Sequence, residues 1–283
     1  MALSTDISPI SQLMSRVDAT ADGAPALDTV PSGFPSIDRM LGGGFRRGDL
    51  LVLGGDVASG KSALALAIAL RAAQQGTSTV LFNGEMTSQR VMERALAIEG
   101  RVRIDDLRQG ALDERSRAAV GAAAVRLRDA LPALDPLPAG GAAALAAALE
   151  SRPEAELVVV DPLESLVMGA RDRDEDMAQA VLDLKALALR LNIALLTTAQ
   201  LPGLVPREDR RPHLDDFGAL GAVKHHADVV LALFREAMYD PRREIEGATE
   251  LLVRKNRNGG TGYIDLYFYA QWMRFEDMLD PDR

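Results

Sequence analysis

Gly55-x-x-x-x-Gly60-Lys61-Ser62 sets two glycines, an amine and a hydroxyl at the spacing that suits a polyphosphate. The glycines let backbone N–H groups converge on phosphate oxygens, and the helix start that follows adds its partial positive charge. The expected nucleotide contacts are Gly55, Ala58, Ser59, Gly60, Lys61 and Ser62. Lys61 suits the β- and γ-phosphates, and the Ser62 hydroxyl suits Mg2+. Hydrolysis asks for more: a second carboxylate at the metal, a base for the attacking water and a cation for the developing charge. Asp161 closes the apolar run 157–160 and is the expected metal-side carboxylate. Pro162 takes the next position, where many ATPases carry a catalytic Glu, so the base must come from elsewhere. Glu85, just beyond the expected strand 77–82, is the candidate. Gln200 follows the run 193–198, a place suited to sensing a γ-phosphate. Lys255 and Arg257, in RKNRNGG, are read as the tip of a hairpin and as a cationic finger.

These side chains need a scaffold. A strand at 51–53 must deliver the phosphate loop, and an almost wholly apolar helix at 63–73 must leave it. From Val30 onward strands and helices alternate, the pattern of an α/β fold with a mostly parallel sheet. Further strands are expected at 77–82, 157–160, 193–198 and 228–234, with a helix near 88–98. Met177, Val181, Leu184, Ala188 and Leu191 mark one face of another helix. Residues 250–254 and 263–269, joined by an Asn- and Gly-rich turn, predict an antiparallel hairpin. The Ala/Gly-rich stretch 139–149 reads as a surface helix. Residues 18–30 are small, polar and proline-containing, and read as a linker. Before them, Ile7, Ile10, Leu13, Met14 and Val17 lie at helical spacing. A helix that short is marginal alone and needs a surface, its own domain's or a neighbour's. The division expected is 1–29, helix and linker, and 30–283, the catalytic domain.

Composition narrows the class. The absence of cysteine excludes disulfides and thiolate-held metal centres. No apolar run approaches the roughly 18 residues of a membrane span, and the N-terminus lacks the apolar core of a signal peptide. A cytoplasmic protein without membrane contact is expected. The net charge of −9 disfavours a broad grip on nucleic acid while leaving room for a local basic channel.

Taken in order, the motifs are Gly55-x-x-x-x-Gly60-Lys61-Ser62, Gly84-Glu85-Met86, Val159-Val160-Asp161, Ala199-Gln200-Leu201, Lys255-Asn256-Arg257-Asn258-Gly259 and Gln271-Trp272-x-Arg274-Phe275. The set resembles the C-terminal motor domain of DnaB-type replicative helicases over residues 30–276. Gly33-Phe34-x-x-x-Asp38-x-x-x-Gly42-Gly43 resembles the lead-in shared by RecA-like ATPases. The last two motifs of the set separate DnaB-like proteins from RadA and KaiC relatives. The resemblance implies a RecA-like P-loop domain with helices on both faces of its sheet, hydrolysing ATP with Mg2+. It implies Glu85 as the water-activating residue, and Lys255 and Arg257 acting across the interfaces of a hexameric ring. The helix around 10–17 would dock on the neighbouring subunit. The implied activity is DNA translocation or unwinding, with single-stranded DNA and a protein loader or regulator as partners. The resemblance leaves no room for the helical N-terminal domain that helps recruit primase, and so implies a motor domain alone.

Two stretches depart from that pattern. Where the family has Asp-Leu-Arg-Glu-Ser-Gly, this chain has Asp216-Phe217-Gly218-Ala219-Leu220-Gly221. Gly218 thus replaces a backbone-contacting Arg and Ala219 the adjacent Glu. A second expected central loop, 171–176 (RDRDED), is net acidic and would repel phosphate. Arg207, Arg210, Arg211 and Lys224 are the cations placed to compensate; His225 and His226 read as a helix-surface pair. The competing reading is a regulatory ATPase whose ring acts on protein partners, as in KaiC-like proteins.

Overall fold

The computed structural model describes residues 8–21, 28–167, 173–201, 207–239 and 246–278. The chain opens with α1 (Pro9–Ala21), β1 (Thr29–Val30), α2 (Pro35–Met40) and β2 (Phe45–Arg46). The phosphate loop lies between β3 (Leu50–Gly55) and α3 (Lys61–Gln74). Next come β4 (Thr79–Asn83), α4 (Ser88–Gly100), α5 (Ile104–Gln109), α6 (Glu114–Asp129), β5 (Ala133–Pro136) and α7 (Gly141–Glu150). The second half contains β6 (Leu157–Asp161), α8 (Arg173–Leu191), β7 (Ala194–Gln200), α9 (Ala222–His226) and β8 (Val229–Phe234). It ends with β9 (Ala248–Asn256), β10 (Gly262–Tyr269) and β11 (Arg274–Asp277).

Nine strands form one sheet in the order β11-β10-β9-β8-β3-β7-β6-β4-β5. Those from β8 to β5 run parallel, and β9, β10 and β11 extend the edge antiparallel. The continuous apolar runs are the central strands, because helices cover both faces. Leu51, Leu53, Val159 and Leu196 pack with Leu64, Ile68 and Leu70 of α3 and Val91 and Ile98 of α4. Alternate residues Leu50, Val52, Val158 and Val160 face the other way, onto Leu145 of α7, Val181 and Leu184 of α8 and Val223 of α9. Gly55 pairs with Gln200, and Asn83 with Asp161. The C-terminal ends of β3, β7, β6 and β4 therefore lie side by side, where parallel α/β sheets gather their ligands.

Several expectations change. The helix expected to end near Val17 runs to Ala21, so the linker begins later; residues 22–27 of it lie outside the described residues. The strand expected at 77–82 is displaced to Thr79–Asn83. Of the acidic stretch 171–176, Arg173 onward is the first turn of α8, where Asp174, Glu175 and Asp176 complement the helix dipole. Residues 171 and 172 lie outside the described residues. The helix expected at 139–149 is only half a surface helix, since Leu145 and Leu149 are buried. Lys255 is not at the hairpin tip but inside β9, which extends to Asn256. Ile10 of α1 is 74% exposed, and Leu13, Met14 and Val17 are each more than half exposed. Those four side chains do not bury themselves in their own domain.

Candidate active site

Gly60 has φ +105, and a Cβ there would stand 2.9 Å from Cζ of Phe275. Only glycine suits both the left-handed backbone and the close approach. Lys61, the first residue of α3, donates from Nζ to the carbonyls of Gly55 (2.9 Å) and Asp56 (2.9 Å). Burial lowers its pKa, against the pull of Glu164, Asp161, Asp56 and Glu85. Ser62 donates from Oγ to Oδ1 of Asp161 at 3.0 Å, and Thr198 donates to the same oxygen at 2.5 Å. Asn83 reaches the other carboxylate oxygen at 3.4 Å. Asp161 is thus a buried carboxylate at the end of β6, touching the hydroxyl expected to share its metal. Ser59 Oγ is buried with no hydrogen-bond partner among the described residues. An orphaned hydroxyl in the loop, beside an amine and the Ser62–Asp161 pair, fits a phosphate chain with a hard divalent cation.

Around this centre Asn83 accepts the N–H groups of Glu85 (3.0 Å) and Met86 (2.5 Å), fixing the turn that carries the exposed Glu85 just past β4. Gln200, exposed at the end of β7, donates its backbone N–H to Oε1 of Glu164 at 2.7 Å. Three neighbours escape a reading of the sequence. Burial raises the pKa of Glu164, whose second oxygen has no hydrogen-bond partner among the described residues. Arg94 on α4 is half-buried, its pKa lowered by burial while Asp161 and Glu85 pull it back. Arg235 stacks over Phe268 at 4.8 Å and donates to the Ala58 carbonyl at 3.4 Å. The only sequence signals were a Glu three residues past Asp161 and an Arg among the apolar positions of a helix.

Lys255 and Arg257 lie elsewhere. Val229 at the start of β8 pairs with Leu51 and with Asn256, while Leu233 pairs with Gly55. Asn256 thus lies four residues of strand, roughly 13 Å, from the level of the phosphate loop, with Lys255 one residue nearer and Arg257 one farther. Lys255 donates to the carbonyls of Lys224 (2.7 Å), His225 (3.3 Å) and Ala227 (2.6 Å), so its three N–H groups cap α9. Arg257 is held at its Nε by Asp228, 3.1 Å away, with its side chain half exposed.

The compensating cations are largely neutralised. Arg207 pairs with Asp216 at 2.5 Å, Arg211 with Glu250 at 2.5 Å and Lys224 with Asp215 at 2.7 Å. Arg210 lies over the Tyr239 ring at 5.5 Å. His225 and His226 stand edge to face at 6.4 Å on α9. Among the described residues no group of three His, Cys, Asp or Glu gathers to hold a metal, and no helix is long and apolar enough to cross a membrane.

A family model described as the DnaB-like helicase C-terminal domain matches residues 29–277. The chain belongs to this family. The replicative DNA helicase DnaB of Leifsonia xyli subsp. xyli is 29% identical over 276 residues, covering 95% of this chain and 60% of the relative. The chain therefore spans about 60% of that relative's length. A solved DnaB-like replicative helicase superposes with a TM-score of 0.82 at 22% identity, covering 95% of this chain and 66% of that one. A KaiC-like protein of Pyrococcus horikoshii superposes less closely, with a TM-score of 0.61 at 15% identity over 88% of this chain and 98% of its own. The fold is RecA-like.

In this DnaB-like domain the motif around Trp272 supports the phosphate loop from beneath. Trp272 stacks on Tyr269 at 5.1 Å, and Arg274 pairs with Glu276 and donates to the Ile98 carbonyl. Phe275 is fully buried, stacked on Phe268 at 4.4 Å and pressed against Gly60. Phe275→Ala is expected to lower stability by about 3–5 kcal/mol through the cavity it leaves. Urea denaturation measures this; an unchanged midpoint would show that the ring supports nothing.

Proposed function

We propose that this chain is a ring-forming ATPase that couples ATP hydrolysis to translocation along, or unwinding of, DNA. The observation that carries the reading is the split of the catalytic set. The phosphate loop, Asp161, Glu85 and Gln200 cluster at one end of the sheet, and Arg257 sits at the other. A site completed by Arg257 has to be completed by a second copy, and head-to-tail contacts of that kind form a ring when their rotation closes. A hexamer is the proposed ring.

Bound ATP with Mg2+ supplies the electrophilic phosphoryl group. Backbone N–H groups of Ala58, Ser59 and Gly60, with Lys61, would bind the phosphates, and Ser62 and Asp161 would hold the metal. Glu85 accepts a proton from the attacking water, Gln200 orients the γ-phosphate, and a neighbour's Arg257 offsets the developing charge. Lys255 serves that arginine indirectly, by fixing the end of α9 beside it.

The proposed docking element is α1, whose exposed Ile10, Leu13, Met14 and Val17 need a neighbour's surface. Deleting residues 1–21 is expected to reduce the oligomer's mass in size-exclusion chromatography with light scattering, while circular dichroism of the domain stays native. An unchanged mass would remove the docking role.

A ring acting on protein partners without gripping DNA has one observation in its favour. Arg207, Arg211 and Lys224 are already paired with the chain's own carboxylates beside the glycine turn at Gly218 and Gly221. Titration with single-stranded DNA at several salt concentrations, with and without a non-hydrolysable ATP analogue, decides between the two. A translocase is expected to bind with a log–log salt slope of about −0.7 for each phosphate neutralised. No binding at low salt with the analogue present would leave the protein-directed reading.

A further inference from the structure

The turn that carries Arg257 is seated on two carboxylates that the catalytic account does not use. Asp228, 1% exposed, immediately precedes β8. Its Oδ1 meets Nε of Arg257 at 3.1 Å, and its Oδ2 accepts Nζ of Lys185 (2.5 Å) and the backbone N–H of Leu50 (2.9 Å). Asp49, next to Leu50, accepts Nδ2 of Asn258 at 3.1 Å. The Arg257 backbone N–H donates to the Asp228 carbonyl at 2.9 Å, so main chain and guanidinium are fixed to the same residue. A guanidinium has five donors on a rigid fork; the ion pair at Nε and a hydrogen bond from Nη2 to the His225 carbonyl (3.4 Å) together set its direction. The Arg257 side chain is 52% exposed, whereas Asp228 is nearly dry.

We propose that Asp228, assisted by Asp49 through Asn258, is the positioning residue that aims Arg257 at a neighbouring subunit's phosphates. This rests on the interfacial reading above. The seat is built on the first residue of β3, whose far end is the subunit's own phosphate loop, so one strand joins the cation a subunit gives to the nucleotide it holds.

Subunit mixing tests the assignment by its direction. Asp228→Asn keeps the shape and an acceptor for Leu50 but removes the charge that holds Arg257. It is expected to lower kcat by about 10²-fold, the scale of a misplaced catalytic group, with KM for ATP within about twofold of wild type. Such a subunit gives a poor finger but keeps a sound phosphate loop. Mixed with Lys61→Ala, which lacks the loop but keeps the finger, it should regain ATPase, because roughly one interface in four of a random ring pairs the two intact halves. Mixed with Arg257→Ala it should regain nothing, since both lack a working finger. A mixture of Arg257→Ala with Lys61→Ala is the reference.

If the reference gains activity and Asp228→Asn with Lys61→Ala does not, the positioning role is overturned while the interfacial site stands. Damage sent along β3 to the loop gives the opposite pattern, rescue by Arg257→Ala alone, and overturns it too. Wild-type turnover by Asp228→Asn does the same. If the reference itself gains nothing despite proven exchange, the interfacial reading falls and takes the proposal with it. Binding of a fluorescent ATP analogue checks that Asp228→Asn is folded. If it is not, Asn258→Ala on the exposed turn replaces it, with the same directional pattern expected.

Discussion

Glu85→Gln is expected to bind ATP at close to wild-type affinity and to turn it over about 10²–10⁴-fold more slowly, the range for loss of a positioned general base. The other carboxylates near the phosphate loop already accept hydrogen bonds, although one oxygen of Glu164 has no partner among the described residues. Asp161 accepts from Ser62, Thr198 and Asn83; Glu164 accepts the Gln200 N–H; Asp56 accepts from Tyr239 and the Val57 N–H. Glu85 is exposed, and its turn is held through its backbone by Asn83, which leaves the carboxylate available to water. The amide preserves that shape and loses only the proton acceptor. Lys61→Ala should behave differently, losing nucleotide binding itself, because nothing else in the loop carries its charge. Single-turnover hydrolysis and analogue binding separate the two. Wild-type hydrolysis by Glu85→Gln would move the base to another residue, with Glu164 next in line.

Much of the scaffold is legible in the sequence, for physical reasons. The central strands are buried on both faces, so they read as unbroken apolar runs, and glycines are placed where the loop turns and Phe275 approaches. The stretch 101–136 gives no such signal. Its α6 is largely exposed, and β5 is a short strand at the sheet edge, which ends in Pro136. Glu164 and Arg94 are illegible for a different cause, since each reaches the site only because β6 and α4 end or pass beside Asp161. Lys255 and Arg257 look equivalent in the sequence, two residues apart in RKNRNGG. What distinguishes them is the end of α9, which takes three hydrogen bonds from the lysine amine but only one from the arginine, Nη2 to the His225 carbonyl, so that the arginine side chain stays half exposed.

Arg257→Ala is expected to lower turnover by roughly 10³-fold or more, the contribution of a cation that meets charge developing in the transition state. The loss should be indirect for the subunit that carries the change. Its own phosphate loop keeps Lys61, Ser62 and Asp161, so nucleotide affinity at that loop should survive. What disappears is the cation offered to the next subunit. Arg257→Ala and Lys61→Ala should therefore be inactive separately and active together once subunits exchange, because some interfaces then bring an intact arginine to an intact loop. Mixing under conditions that block exchange should give only the sum of the two inactive proteins. Activity that never exceeds that sum, with exchange demonstrated by labelled subunits, would place Arg257 outside the active site. A roughly 13 Å separation along the sheet could then not be bridged by a second copy, and ring closure would lose its catalytic reason.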